Sequence, residues 1–286
     1  MTVHELSTAP NLLALYGKAV LSGFTRRGGD LPATGYEQPV VPVDVAHLAG
    51  YDRICGFRLT DELPVTYPHV LSFPLQIKLM TDPGFPFPLV GSVHLANRIT
   101  QYRPLRVSDR FGLRVRVADL RPHPKGRQFD VVSEAVAGGE VVWRDVSTYL
   151  RRGGGSGPRE EREPAAPPAP TAIWRVPGDI GRRYAEVSGD RNPIHLHPLT
   201  AKLFGFPRAI AHGMWTKARC LAALEGRLPD AYTVDVGFKL PVLLPARVGF
   251  AARETEAGWE FHLFDVRTGK PHLAGSVSQC GWLGAA

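Results

Sequence analysis

The sequence predicts an α+β fold of two tandem repeats, each a long helix wrapped by a curved antiparallel sheet, and three observations predict it. Residues 153–170, GGGSGPREEREPAAPPAP, are rich in glycine, proline, alanine and charge, lack any hydrophobic period, and divide the 286 residues almost equally. On both sides of this stretch the same order of elements recurs: one mostly apolar helix, then four strand-like segments. A helix apolar on most of its sides must be covered on most of its sides, and a sheet that curls around it does so. The predicted units are an N-terminal repeat, 1–152, a linker, 153–172, and a C-terminal repeat, 173–286.

Taken in chain order, the first apolar stretch runs from Leu12 to Phe24 and is interrupted by Lys18, with His4, Glu5 and Ser7 before it, which argues against a signal peptide. Leu12, Leu15, Tyr16 and Ala19 recur at helical spacing. In the first repeat the pattern predicts a helix over Tyr67 to Met80 and strands near 90–99, 109–120, 128–137 and 140–150. In the second it predicts a helix from Ala209 to Leu224, stopped by Gly226 and Pro229, and strands near 232–240, 246–254, 259–266 and 272–280. Local echoes join the halves: Tyr67-Pro-His-Val-Leu against Ile210-Ala-His-Gly-Met, and Gln128-Phe-Asp-Val against Glu260-Phe-His-Leu. One such unit leaves an open sheet edge, and pairing two edge to edge gives one longer sheet with both helices on its concave face.

Composition excludes several classes of function. Cys55, Cys220 and Cys280 stand far apart with no CxxC pair, against a disulfide framework and against zinc at the usual spacing, so a reducing, cytoplasmic setting is expected. No apolar run reaches the length of a membrane span. Lys and Arg number 34 against 27 Asp and Glu, a net charge of +7 that suits an anionic ligand or an acidic protein partner. The basic residues are scattered, as at Arg26 and Arg27, Arg151 and Arg152, and Arg182 and Arg183, with no basic tract or aromatic-interleaved patch, so nucleic acid is not expected. Gly153 to Gly155 precede no Gly-Lys-Ser/Thr and form no phosphate loop.

The chemistry is concentrated in Tyr184-Ala-Glu-Val-Ser-Gly-Asp-Arg-Asn-Pro-Ile-His-Leu-His-Pro. Asp190 and His195 are five residues apart, a step that turns side chains roughly 140° in a helix and to opposite faces in a strand, so a bent loop must bring them together. Pro193 stiffens that loop and Gly189 permits a tight turn before Asp190. A carboxylate and an imidazole on one side of a cleft can hold a water, one accepting its proton while the other orients it or returns a proton. His195 and His197 have no third ligand at a recognisable metal spacing, and Ser188 lacks the G-x-S-x-G context of a nucleophile and suits a turn-capping role. No metal, cofactor or covalent intermediate is expected.

The pattern Y-x3-SGD-x-NP-x-H, followed by the Ala-His-Gly-Met of 211–214, resembles the MaoC-like dehydratase or (R)-specific enoyl-CoA hydratase (hydratase-2) family, in its two-repeat, double hot-dog form. The resemblance implies hydration of trans-2-enoyl thioesters to (R)-3-hydroxyacyl thioesters, or the reverse dehydration, on CoA or acyl-carrier-protein substrates, with a homodimer as a compatible assembly. It implies that Asp190 and His195 activate the water and that Asn192 contacts the substrate, with Ser188 and His212 as further substrate-binding residues. Gly213 would serve the thioester oxygen, a role that the free N–H of a first helical turn at the positive end of the helix dipole also supports. In the first half Val70 follows His69 and no SGD-x-NP-x-H loop precedes it, so one site per chain is expected, with the acyl chain along the first repeat's helix. Phe85 and Phe87, between Pro83, Pro86 and Pro88, line such a pocket or cap the fold. Arg103, Arg106, Lys125 and Arg127 are candidates for phosphate contacts. Two other functions fit the same fold, a non-catalytic thioester-binding scaffold and a thioesterase.

Overall fold

The computed structural model describes residues 2–22, 29–89, 91–153 and 167–280. In chain order the first half contains β1 (Thr2–Glu5), α1 (Leu12–Ser22), β2 (Thr34–Gln38), α2 (Val45–Cys55), α3 (Tyr67–Thr81), β3 (Ser92–Gln101), β4 (Gly112–His123), β5 (Gly126–Ala137) and β6 (Glu140–Arg152). The second contains β7 (Ala172–Val176), α4 (Ile180–Ser188), α5 (Pro193–Leu196), α6 (Pro198–Leu203), α7 (Gly213–Ala222), β8 (Tyr232–Phe238), β9 (Ala246–Thr255), β10 (Gly258–Asp265) and β11 (Pro271–Gln279).

The strands join in one sheet of order β1-β2-β4-β5-β6-β3-β8-β11-β10-β9-β7. Alternation fixes which face is inward: Phe129, Val131, Ser133 and Ala135 of β5 are buried at every second residue, as are Tyr232, Val234 and Val236 of β8. A single core takes in Leu75 and Leu79 of α3, Met214 and Leu221 of α7, and these strand residues, so both helices lie against the same face. This is the double hot-dog arrangement that the repeat predicts. The two halves meet edge to edge where β3 pairs with β8 in antiparallel register, Arg98 opposite Asp235 and Thr100 opposite Thr233. Arg98 Nε donates to Asp235 at 2.7 Å across that seam, and the two threonine hydroxyls lie 2.9 Å apart.

Three features depart from the sequence reading. The second-repeat helix begins at Gly213 and not at Ala209, because 209–211 are extended: Ala211 N–H donates to Val242 O, Leu244 N–H donates to Ala209 O, and Ile210 bridges Leu243. Helical apolar spacing and a short buried strand look alike over four residues. The stretch read as linker already holds the start of β7 at Ala172, which pairs with β9; residues 154–166 of that linker lie outside the described residues. Helix α2 was not anticipated, although its signals are local: the Asp44 carboxylate accepts the N–H groups of Ala46 and His47, and Gly56, at φ 87°, ends it.

A buried polar network ties the two central helices through the seam. Lys217 of α7 has no exposed surface, and its Nζ donates to Asn97 O at 3.1 Å, Asn97 Oδ1 at 2.5 Å and Val234 O at 3.2 Å. Asn97 Nδ2 in turn donates to Asp145 and to Ser147 Oγ, and Asp145 Oδ2 lies 2.5 Å from His69 Nδ1 of α3. Burial pushes the Lys217 ammonium down to about 7 against the opposing pull of Asp145 and Asp235, while three acceptors match its three donors. Lys217→Met keeps the bulk but leaves three buried acceptors without a donor. It is expected to cost about 3 kcal/mol of stability, read as a lower urea midpoint at unchanged slope.

Candidate active site

The loop that carries Asp190 and His195 is built by two helix ends. Helix α4 stops at Ser188 because Gly189 takes the left-handed conformation, φ 72°, with its N–H on Ala185 O at 3.0 Å. The chain then turns back: Asp190 N–H donates to Ser188 Oγ at 3.2 Å, and Asn192 caps α5, whose first residue is Pro193. Gly181 of α4 lies where any Cβ would collide with the His195 carbonyl, so the two helices can be packed this closely with no side chain between them. His197 is accounted for locally, since its Nδ1 accepts the Leu199 N–H at 3.2 Å and caps α6.

This turn brings Asp190 and His195 together, and the extended segment before α7 adds His212. His195 Nδ1 donates to Ile210 O at 2.8 Å, which fixes the tautomer and leaves the lone pair on Nε2. The His195 and His212 rings stack with centroids 3.7 Å apart. His212 Nε2 donates to the Asp190 carbonyl at 3.0 Å and lies 3.7 Å from Asp190 Oδ2, while its Nδ1 is buried with no hydrogen-bond partner among the described residues. Asp190 Oδ1 accepts two donors, Asn192 N–H at 3.1 Å and the Tyr16 hydroxyl at 3.1 Å, so Oδ2 is the freer oxygen.

Charge states follow from burial and neighbours. Burial pushes the Asp190 carboxyl up, but His212, His195, the Asn192 N–H and Tyr16 together hold it below the usual aspartate range. Burial lowers His195 against the opposing pull of Asp190 and the Ile210 carbonyl. Burial, with His195 beside it, pushes His212 down to about 3 although Asp190 opposes the shift. The site at neutral pH therefore holds one anion and two neutral imidazoles. Ligand-capable atoms of Asp190, His195 and His212 lie within 4.8 Å of one another. One nitrogen of each ring donates to a backbone carbonyl, which leaves His195 Nε2 and His212 Nδ1 with their lone pairs.

Gly213 opens α7, and its N–H has no intrahelical acceptor. A Cβ there would lie 3.0 Å from Phe238 Cε1, so close packing of that ring requires the glycine. Phe238 begins a row of rings that crosses into the first repeat: His94 at 4.9 Å, then Tyr149 at 4.6 Å, then Phe129 at 5.8 Å. Phe85 and Phe87 extend the row, buried 5.3 and 5.5 Å from Phe129, so the proline-rich turn contributes to the core. A cavity of about 500 Å³ opens beside the loop, lined by Leu12, Gln38, Val70, Pro74, Val187 and Gly189 among others.

Two sets of residues escaped the sequence reading. Tyr16, His94, Tyr149 and Phe238 are brought to the loop by long-range contacts that no local spacing encodes. Three of the four phosphate candidates have other partners: Arg103 pairs with Asp109, Arg106 with Asp61 and Glu62, and Arg127 Nη1 donates to Gly29 O, while Lys125 engages through its backbone alone among the described contacts. Exposed basic groups flank the catalytic loop instead, at Arg182, Arg191, Lys202 and Arg208, none in an ion pair among the described residues.

Comparison with known proteins agrees with this geometry. Residues 158–275 match the profile of the MaoC-like domain. The chain is 42% identical over 256 residues to 3-hydroxyacyl-thioester dehydratase X of Mycobacterium tuberculosis, covering 88% of this chain and 91% of that one. The crystal structure of HtdX of Mycobacterium tuberculosis superposes with a TM-score of 0.78 at 41% identity, over 86% of this chain and all of that one. A MaoC-like dehydratase from Phytophthora capsici shares the fold, with a TM-score of 0.69 at 18% identity over 88% of this chain and 96% of that one. With a relative this similar along nearly its whole length, the chain belongs to the family of MaoC-like dehydratases.

Proposed function

We propose that the protein adds water to trans-2-enoyl thioesters, giving (R)-3-hydroxyacyl thioesters, and catalyses the reverse dehydration. The observation that carries this reading is the pair of lone pairs left free on Asp190 Oδ2 and His195 Nε2. A water between them donates one proton to each and points its own lone pair at C3. As the C3–O bond forms, one water proton passes to the pair and the double-bond electrons move onto the thioester as an enolate. Its oxygen is stabilised by the Gly213 N–H at the positive end of α7. The proton held by the pair then closes the cycle at C2. Asn192 and Ser188 hold the loop in shape, and His212 positions Asp190 through its backbone carbonyl.

The acyl chain is placed in the cavity along α3, where Val70 and Pro74 supply an apolar wall. The unpaired basic residues around the loop support an anionic handle on the thioester, CoA phosphates or an acidic carrier protein. No helix among the described residues is long and apolar enough to cross a membrane, and Cys55 and Cys220 are buried thiols outside any disulfide, which suits a cytosolic enzyme.

Asp190→Asn and His195→Gln are each expected to cut turnover about 10²- to 10⁴-fold with the fold retained. The double variant should lose little more than the worse single one, since both groups hold one water. Near-normal turnover in both removes the site assignment; absence of hydration in the parent favours the scaffold function, and release of free thiol in place of hydration favours the thioesterase.

Because both groups lie on one loop, water and proton reach the same face of the double bond. Hydration in deuterated water should give a syn product with one C3 configuration, read by NMR; an anti product excludes a single-face site. Val70→Trp, which fills the cavity wall, should lower kcat/KM for long-chain enoyl thioesters at least tenfold (roughly 1.4 kcal/mol) while sparing the four-carbon substrate. Equal losses for both chain lengths would place the acyl chain elsewhere.

A further inference from the structure

Helix α1 approaches the catalytic loop with two residues of one face, Leu12 and Tyr16, four positions apart. Leu12 sits against Gly189, where any Cβ would collide with its Cδ1, and Tyr16 reaches 174 positions along the chain to place its hydroxyl 3.1 Å from Asp190 Oδ1. We propose that Tyr16 is a positioning residue of the active site, whose hydroxyl holds Oδ1 of Asp190 and leaves Oδ2 to the reacting water.

Two donors arriving from different elements, the Tyr16 hydroxyl and the Asn192 N–H, fix the carboxylate about its own side-chain bond. With Oδ1 occupied twice, the water has one carboxylate oxygen to choose, the one that shares the site with His195. Burial and the adjacent Asp190 push the Tyr16 hydroxyl's pKa up, so it stays protonated and remains a donor across the working range. Tyr16 need not touch substrate to act. Its helix also supplies Leu12 to the cavity wall, so the placement of α1 bears on the pair and on the acyl pocket together.

The other groups that face Asp190 come from every neighbouring element: His195 of α5, His212 ahead of α7, Tyr184 of α4, Tyr149 of β6 and His94 of β3. Tyr16→Phe leaves all of these in place and removes one hydrogen bond to the ionised carboxylate. That bond favours the charged form, so its loss raises the Asp190 pKa and moves the acidic limb of the rate profile to higher pH.

The test is a titration of protein labelled with 13C at aspartate carboxyls, the Asp190 signal being the one absent from Asp190→Asn, in parallel with pH profiles of kcat and KM. In Tyr16→Phe the Asp190 carboxyl should titrate at higher pH than in the parent, kcat should fall about tenfold, and KM should stay within about twofold. An Asp190 titration that coincides with the parent's overturns the proposal whatever happens to kcat, because a merely structural role lowers the rate without moving the carboxyl. The proposal rests on the hydratase function of Asp190. A parent protein inactive on every enoyl and 3-hydroxyacyl thioester refutes that function, while the carboxyl titration still decides whether Tyr16 controls Asp190.

Discussion

The hydrogen bond from His195 Nδ1 to the Ile210 carbonyl is the contact on which the site depends. It fixes the imidazole tautomer, so that Nε2 and not Nδ1 faces the water, and it joins the α4–α5 loop to the segment that leads into α7. Ile210 answers in the other direction, its N–H donating to Ile194 O at 3.1 Å. Two residues beyond Ile210 comes His212, whose Nε2 reaches back to the Asp190 carbonyl, and next comes Gly213. One short piece of extended chain therefore sets the distance between the Asp190 and His195 pair and the Gly213 amide, the two parts of the proposed site. A helix beginning at Ala209 would have turned the Ile210 carbonyl into its own ladder and left His195 without an orienting acceptor.

Much of this was legible in the sequence, for reasons that are local. Asp190, His195 and Asn192 lie within six positions, and Gly189 and Pro193 announce the bend that brings the first two together. The strands were legible because Phe129, Val131, Ser133 and Ala135 alternate as one face of a sheet must. The edge-to-edge seam followed from needing to cover two open edges. Tyr16, His94 and Lys217 were not legible, since each depends on side chains meeting across the seam or across half the chain, and a lone tyrosine on an apolar helix carries no mark of its partner. The early boundary given to α7 failed because Ala209, Ile210 and Ala211 are buried as a strand and as a helix alike.

The two repeats show what separates a working site from a structural copy. His69 and His212 stand at the same place in the echoed sequences, ahead of or at the start of the central helix, and each has an aspartate beside it. In the first repeat that aspartate is Asp145 of β6, which has no exposed surface and is closed in by His69, Asn97 and Ser147. In the second it is Asp190, whose side chain keeps 27% of its surface exposed and one oxygen free. Val70 then stands where the second repeat has Gly213, but as the fourth residue of α3 and not the first of its helix, and it gives the cavity an apolar wall. The same histidine–aspartate pairing is closed off in one half and open to the proposed reaction in the other.

Placing one anion among neutral, buried imidazoles has a consequence for catalysis. Each stacked imidazole that gained a proton would face the other at 3.7 Å in a dry environment, which is why His212 stays neutral far below the ordinary histidine range. In the proposed hydration, a proton taken from water is therefore kept from His212, whose buried ring resists a charge, and Asp190 and His195 are the groups left to hold it. Under that proposal it stays on the face of the double bond from which the water attacks and is available for C2. The same burial lowers both histidines, so the proposed retention of the proton and the neutral charge of the stack have one physical origin, while the single face follows from both groups lying on one loop.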